Sequence, residues 1–358
     1  MADFKNFIAY RITDEAAVDK LKDEDDLEVL LEARHVQDPA ASAWRSGGFG
    51  IVLPIEWALE ERFVYRGYRG TTLIKAQFNL RDLPGTVLRE EVGKRVAELE
   101  HREGRKAYKN EYAQLKDLAE AALLKSAFIK RKTVFLLLQG DLILVLTSSV
   151  KVAEDCLQEL RLALGGLPVV PIRPNKVPVD VLTNLVNAGG DEDLKLLLGS
   201  AASLHAPKGH DGGNARLKDE DLTSEQVTSY LDNDYQVREV QLRRFDRGDV
   251  QSEFFINDKF IFKRIKFPDI LSENLKAKGD ADERRESFDA FFTIATAELV
   301  DVLSTTLDAM GGEAKAEPED DDDGCPNSNP ALSGTDPFPT DLKTTFGLHQ
   351  EDPEDDEL

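Results

Sequence analysis

Two short runs hold the side chains best suited to chemistry. "LKSAFIKRKTVFLLL" (residues 124–138) crowds Lys125, Lys130, Arg131 and Lys132 around the start of a stretch that must be buried. "IFKRIKF" (261–267) repeats the theme with Lys263, Arg264 and Lys266, and "QLRRFDR" (241–247) adds Arg243, Arg244 and Arg247. Such cations meet phosphate oxygens without reading bases. On strand geometry Lys130 and Lys132 share one parity and Arg131 takes the other. In the second run Ile261, Ile265 and Phe267 can point inward while Arg264 and Lys266 point out. Lys263 falls on the apolar parity, which suits a strand end or an interface.

Other chemistry finds little support. The sequence has no G-x-x-x-x-G-K-[ST] loop to cradle nucleotide phosphates. "GGFG" at Gly47–Gly50 reads as a turn. His205 and His210 sit in a Gly-rich stretch without cysteine or carboxylate at zinc spacing. Cys156 has no evident His partner and reads as a buried helix thiol. The acidic runs Asp23–Asp26 and Asp320–Asp323 lack the glycine and closing glutamate of a calcium loop. Asp269 and Glu273 near Lys276 are the one carboxylate pair to weigh for a metal-dependent nuclease, and the spacing is commonplace. The expectation is binding rather than catalysis, with no metal or cofactor. Recognition-helix, zinc-finger and aromatic RNA-binding signatures are absent, so any nucleic acid would be held with little regard to sequence.

Charge is unevenly spread. The 358 residues carry a formal net charge of −23. Residues 313–358 hold 15 Asp/Glu against 2 Lys/Arg. Residues 81–151 are basic, with 14 Lys/Arg against 10 Asp/Glu, and so are residues 236–267, with 8 against 5. A solvated face is the plainer explanation of any one run. Phosphate binding depends on where charges meet in space, so an acidic total does not exclude it. No apolar run approaches the ~18 residues that span a bilayer. Two cysteines and no leader-like start in "MADFKNFIAY" suggest a cytoplasmic, reducing location.

The elements that would position these groups read as an α+β fold with mixed sheets and a long projecting helical region. Residues 1–85 form an N-terminal α+β region: strands are predicted in "FKNFIAYRI", "FGIVLP" and "TTLIKAQFNL", with an acidic helical stretch after the first. Residues 86–128 follow as the helical region, with Thr86 as N-cap and a break near Gly104. Residues 129–198 read as hairpin, helix and strand, the helix starting at Ser148 or Ser149 and stopping at Gly165-Gly166. Residues 199–220 read as a loop or linker from their Gly, Ser and Asn content. Residues 221–312 form a C-terminal α+β region. It opens on a capping box from Thr223 to Gln226 and closes on a helix with Phe288, Phe292, Ala295, Leu299, Val302 and Leu303 on one stripe. The acidic, Pro-rich residues 313–358 read as a disordered tail.

Several blocks carry a family resemblance: "FKNFIAYRI", "VLREEVGKRVAELE", "LKSAFIKR", "SSVKVAEDCLQELRLALGGLPVVPI", "DLTSEQVTSYL", "FKRIKF" and "FDAFFTIATAELVDVLSTTLDAMGGEA". In order and spacing the chain resembles the recombination-associated RdgC family over most of residues 1–315. The resemblance implies a ring-shaped homodimer closed through two contacts, with double-stranded DNA threaded through a positively lined hole. It implies little sequence preference, nucleoid association, and restraint of RecA-promoted strand exchange by occupying the duplex. Phe128 aligns with a family phenylalanine at the ring-closing contact; its other reading is a local staple between helix and hairpin. Three departures stand out. "AWRSGGFG" replaces a Pro-Pro turn after Trp44, Asp219 and Glu220 stand where the family can carry Lys-Gln, and the acidic tail is an addition.

Two further classes stay open: a metal-dependent DNA exonuclease and an interaction scaffold without DNA contact. The tail fits two roles, competition with DNA for the basic lining or simple solubility. Under competition, residues 1–312 alone bind duplex DNA more tightly than the full chain at equal salt. Equal affinities in that comparison leave solubility.

Overall fold

The computed structural model describes residues 4–53, 61–207, 213–246, 248–268 and 281–314. Strand β1 (Ile8–Ile12) is followed by α1 (Glu15–Lys22) and α2 (Glu24–Ala33). Asp23 divides what the sequence reads as one helical stretch: its carboxylate accepts the N–H groups of Asp25 and Asp26 and caps α2. Strand β2 (Arg45–Gly50) lies upstream of the predicted "FGIVLP". Its Gly48 sits against the Arg34 carbonyl, where a side chain would collide, so glycine is required by close backbone approach rather than by a turn. Strands β3 (Val64–Arg66), which the pattern did not reveal, and β4 (Thr72–Asp82) follow.

The helical region is two helices, α3 (Gly85–Glu103) and α4 (Lys109–Leu124). Gly104 ends α3 in the left-handed conformation. Pro84, not Thr86, holds the N-cap position of α3, with no side-chain cap. The pair buries a small cluster of its own: Leu88, Val92 and Ala119, flanked by Val96 and Leu123. Strands β5 (Phe128–Gln139) and β6 (Leu142–Val145) form the expected hairpin, with Gly140 at φ +61 in its turn. Helix α5 (Val150–Leu164) stops at Gly165, as predicted, and β7 (Val169–Pro171) follows. The six paired strands β2-β4-β5-β6-β1-β7, with β3 beside β4, make one antiparallel sheet.

Helix α6 (Pro178–Ala188) and the short β8 (Gly190–Asp191) lead into a second antiparallel sheet. Here residues 199–220 correct the sequence reading. Their described part is no linker: β9 (Leu196–His205) and β10 (Ala215–Lys218) run through it. Their Gly, Ala and Ser content imitates a loop, while Leu196, Leu198, Ala202 and Leu204 turn inward. Helix α7 (Glu225–Asp232) starts after Ser224, and the predicted capping box is not formed. Thr223 instead hydrogen-bonds the Asp221 carboxylate through both its N–H and its hydroxyl. Strands β11 (Gln236–Asp246), β12 (Asp249–Asn257) and β13 (Phe262–Lys266) complete the order β10-β9-β11-β12-β13, with β8 on β9.

Helix α8 (Ala281–Ala309) supplies the predicted apolar stripe to a core shared by both sheets. Phe292, Leu299 and Val302 cluster there with Leu73, Leu137 and Leu144 of the first sheet and Leu204, Val240 and Ile256 of the second. By length and composition Asp282–Ala309 could cross a membrane, but most of its large apolar side chains are buried in this core. The sheets also meet at the N-terminus. Phe7 and Phe262 exchange backbone hydrogen bonds of 3.0 and 3.1 Å, and their rings stack at 4.3 Å.

Arg244 is the clearest correction among the basic residues. It points into the core, 6% exposed, and its guanidinium grips both oxygens of the Glu298 carboxylate on α8. Ser252 donates to the same carboxylate at 2.6 Å. Arg244 therefore holds β11 to α8 and offers nothing to a ligand. Glu298→Ala leaves a buried guanidinium unpaired and should cost about 3–5 kcal/mol in urea unfolding. Replacing Arg244 and Glu298 together by Met and Leu should restore most of that loss.

Candidate nucleic-acid interface

The first basic patch belongs to the end of α4 and the front of β5. Arg81 fixes this corner: its guanidinium donates to the carbonyls of Leu124 (2.9 Å) and Pro39 (2.8 Å). Lys125, Lys130 and Arg131 are exposed and form no ion pair with the described residues. Lys130 pairs across the ladder with Leu80 and Lys132 with Phe78, while Arg131 pairs with Asn79, so the cations divide between the two faces as predicted. Lys132 is half-buried, and burial pulls its ammonium below the ordinary lysine value. Lys75 on β4 lies on the face of Arg131 and is depressed by burial in the same way. A lone lysine within "TTLIKAQFNL" was the only sequence signal for it. Phe128 opens β5 with 87% of its surface exposed, so it does not staple helix to hairpin.

The second patch is the outward face of the second sheet. This face is an open groove of about 940 Å³. Gly199, Ala201 and Ser203 of β9 form its low floor, and a side chain at Gly199 would collide with Gln241. Arg216, Lys218, Arg238, Arg243, Arg264 and Lys266 line it. Arg216 and Lys218 escaped sequence reasoning because β10 was taken for linker, and the alternation in "ARLK" is the signal that could have found them; Arg238, on β11, was not singled out from the sequence.

A bulge explains how three neighbouring cations reach one face. Phe255 pairs with Lys263 and Glu253 with Lys266, so β13 carries one extra residue opposite β12. Arg264 is that residue. It adopts φ +52, and its N–H donates to the Asn6 side-chain oxygen at 3.1 Å. The bulge cancels the parity argument that set Lys263 apart from Arg264 and Lys266. Lys263 donates to Glu239 at 2.7 Å, and Arg264 grips the other oxygen of that carboxylate. Arg238 pairs with Asp258 at 3.0 Å. Arg243 donates twice to the Leu198 carbonyl, at 3.1 and 2.8 Å, which pins it along the groove wall.

The groove is thus cationic with carboxylates set between its cations, and it is a different surface from the β5 patch. Cys156 is fully buried on α5, and burial drives its thiol far above the ordinary value. Among the described residues no group of three or more His, Cys, Asp or Glu is placed to hold a metal ion. His205 lines the groove. His210, Arg247, Asp269, Glu273, Lys276, Asp320–Asp323 and Cys325 lie outside the described residues.

Sequence comparison adds the family. A family profile described as "Putative exonuclease, RdgC" matches residues 3–313. The chain belongs to the RdgC family. Proteins named recombination-associated protein RdgC from Pseudomonas fluorescens (strain Pf0-1) and Pseudomonas entomophila (strain L48) are 34% and 31% identical to it over 312 residues. One from Pseudomonas aeruginosa (strain PAO1) is 33% identical over 325 residues. Each match spans 87% of this chain and 97% of the relative. The chain is therefore recombination-associated by family, and both basic patches lie inside the shared region.

Glu239 holds two groove cations at once, so its removal is a sharp probe. Glu239→Gln should shift elution from a heparin column to higher salt, because Lys263 and Arg264 lose their internal counter-ion. An unchanged elution position would mean that these cations do not meet the polyanion.

Proposed function

We propose that the chain binds double-stranded DNA through backbone charge, with little sequence preference, and acts on recombination by occupying the duplex. The observation that carries this reading is the groove face itself. One sheet turns its apolar side to the core and presents fixed lysines and arginines on the other, the kind of surface that positions a backbone rather than reads bases. Phosphates are the ligand that such spacing suits. In the β5 patch, Lys125, Lys130 and Arg131 supply a second set of exposed cations.

The reading extends to assembly. A phenylalanine as exposed as Phe128, fixed at a corner by Arg81, suits an aromatic anchor against a second copy. A homodimer that closes into a ring would gather the cations of both copies around one helix and leave acidic surface outside. Net negative charge and DNA affinity are then compatible. Restraint of RecA-promoted strand exchange follows if the enclosed duplex is withheld from pairing, and nucleoid association in the cytoplasm accompanies it.

The family description favours one second reading, exonuclease action. Labelled linear duplex incubated with magnesium or manganese separates the two: a binding ring leaves it intact, and an exonuclease shortens it. An interaction scaffold without DNA contact is separated by salt. Duplex affinity should fall by orders of magnitude between about 50 and 200 mM salt if ~6–10 phosphates are contacted. In the same preparations Phe128→Ala should move the sedimenting species from dimer towards monomer. Salt-independent or undetectable duplex binding would overturn the reading.

A further inference from the structure

The groove holds one arrangement that backbone phosphate binding does not use. Phe255 is the aromatic side chain of the groove lining, and the guanidinium of Arg264 lies over its ring, 3.6 Å from the centroid. Four constraints fix that guanidinium. Phe255 supports one face, Glu239 grips an edge, Asn6 holds the backbone N–H, and the bulge sets the left-handed φ of +52. An arginine in this conformation is strained, and the surroundings over-determine it. Yet its side chain is 56% exposed, so the face away from Phe255 is open to the groove.

A cation needed only for charge has no use for a rigid plane. A lysine on a flexible stem meets phosphate as well, and Lys263 and Lys266 stand on either side. What a planar, delocalised, weakly hydrated cation adds is stacking against another flat π system. Beyond Glu239 on β11, the next strand is β9, whose Gly199, Ala201 and Ser203 keep the groove floor low on that side. A paired base cannot present its face, because its neighbours in the helix cover it. An extrahelical base can, and stacking on arginine planes is how such bases are commonly held.

We propose that the Arg264–Phe255 stack is a receptor for an unpaired nucleobase, so that the groove favours DNA carrying a base displaced from the helix over fully paired DNA. This rests on the DNA-binding reading above and names the feature of the DNA that the groove selects. It makes Arg264 and Phe255 specificity-determining residues, with the other groove cations supplying affinity for either form.

The test uses the full-length protein and two duplexes of the same sequence, one with a single bulged adenine and one fully paired. The wild type should bind the bulged duplex about tenfold more tightly, the size of one stacked base. Arg264→Lys keeps the charge and removes the plane; Phe255→Leu removes the seat. Both variants should lose the preference, bringing the ratio of the two affinities to about one whatever their affinity for the paired duplex. Thermal melting checks that each variant is folded. Absence of a preference in the wild type, or a preference that survives both substitutions, overturns the proposal. Equal losses on both duplexes also overturn it, since the Arg264–Phe255 pair would then serve the backbone common to both duplexes and not a displaced base. Failure of the wild type to bind either duplex overturns the DNA reading itself, and this inference with it.

Discussion

Two antiparallel sheets must each hide one face, and a single helix serves both. The second sheet carries apolar residues at alternate positions, whereas β5 and β6 of the first are apolar on both faces, and none of these faces could stay folded in water. Helix α8 answers with apolar residues on more than one side, which is why its composition resembles that of a membrane span. The outward face of the second sheet is left over from this arrangement and is free to be polar. The groove is that face. Its chemistry exists because Val240, Leu242 and Ile256 are fully engaged on the other side of the same strands.

The same constraint decides the fate of two adjacent arginines. Arg243 and Arg244 are equivalent in composition and differ only in parity. Parity sends Arg243 to the groove wall and Arg244 into the core, where Glu298 makes its burial tolerable. A run of cations in a sequence is therefore not a run of ligands. On alternate strand positions, part of it is spent on the interior whenever a carboxylate waits there.

Local periodicity was legible where one residue pattern maps onto one element. The stripe from Phe288 to Leu303, the hairpin around Gly140 and the stop at Gly165 needed no tertiary information. Small residues defeated the pattern at β9, where Gly199, Ala201 and Ser203 serve a groove floor and look like a loop. The bulge at Arg264 was invisible because it depends on pairing with β12 and on a hydrogen bond from the Arg264 N–H to Asn6. Family resemblance, not spacing, singled out Phe128; the fold adds that this side chain is exposed. The interleaved carboxylates at Glu239 and Asp258 were present in the sequence as charges, but their pairing with Lys263, Arg264 and Arg238 is a property of the folded sheet alone.

The hydrogen bond between Asn6 and Arg264 joins residues 258 positions apart. A chain made from its N-terminus, at roughly 5–20 residues per second, displays Asn6 and the β5 cations long before β13 exists. The groove cannot be finished until the first strand has captured nearly the last. Nascent and truncated chains would then expose scattered positive charge but no ordered cradle, and selective attachment to a polyanion becomes a property that only completed molecules possess.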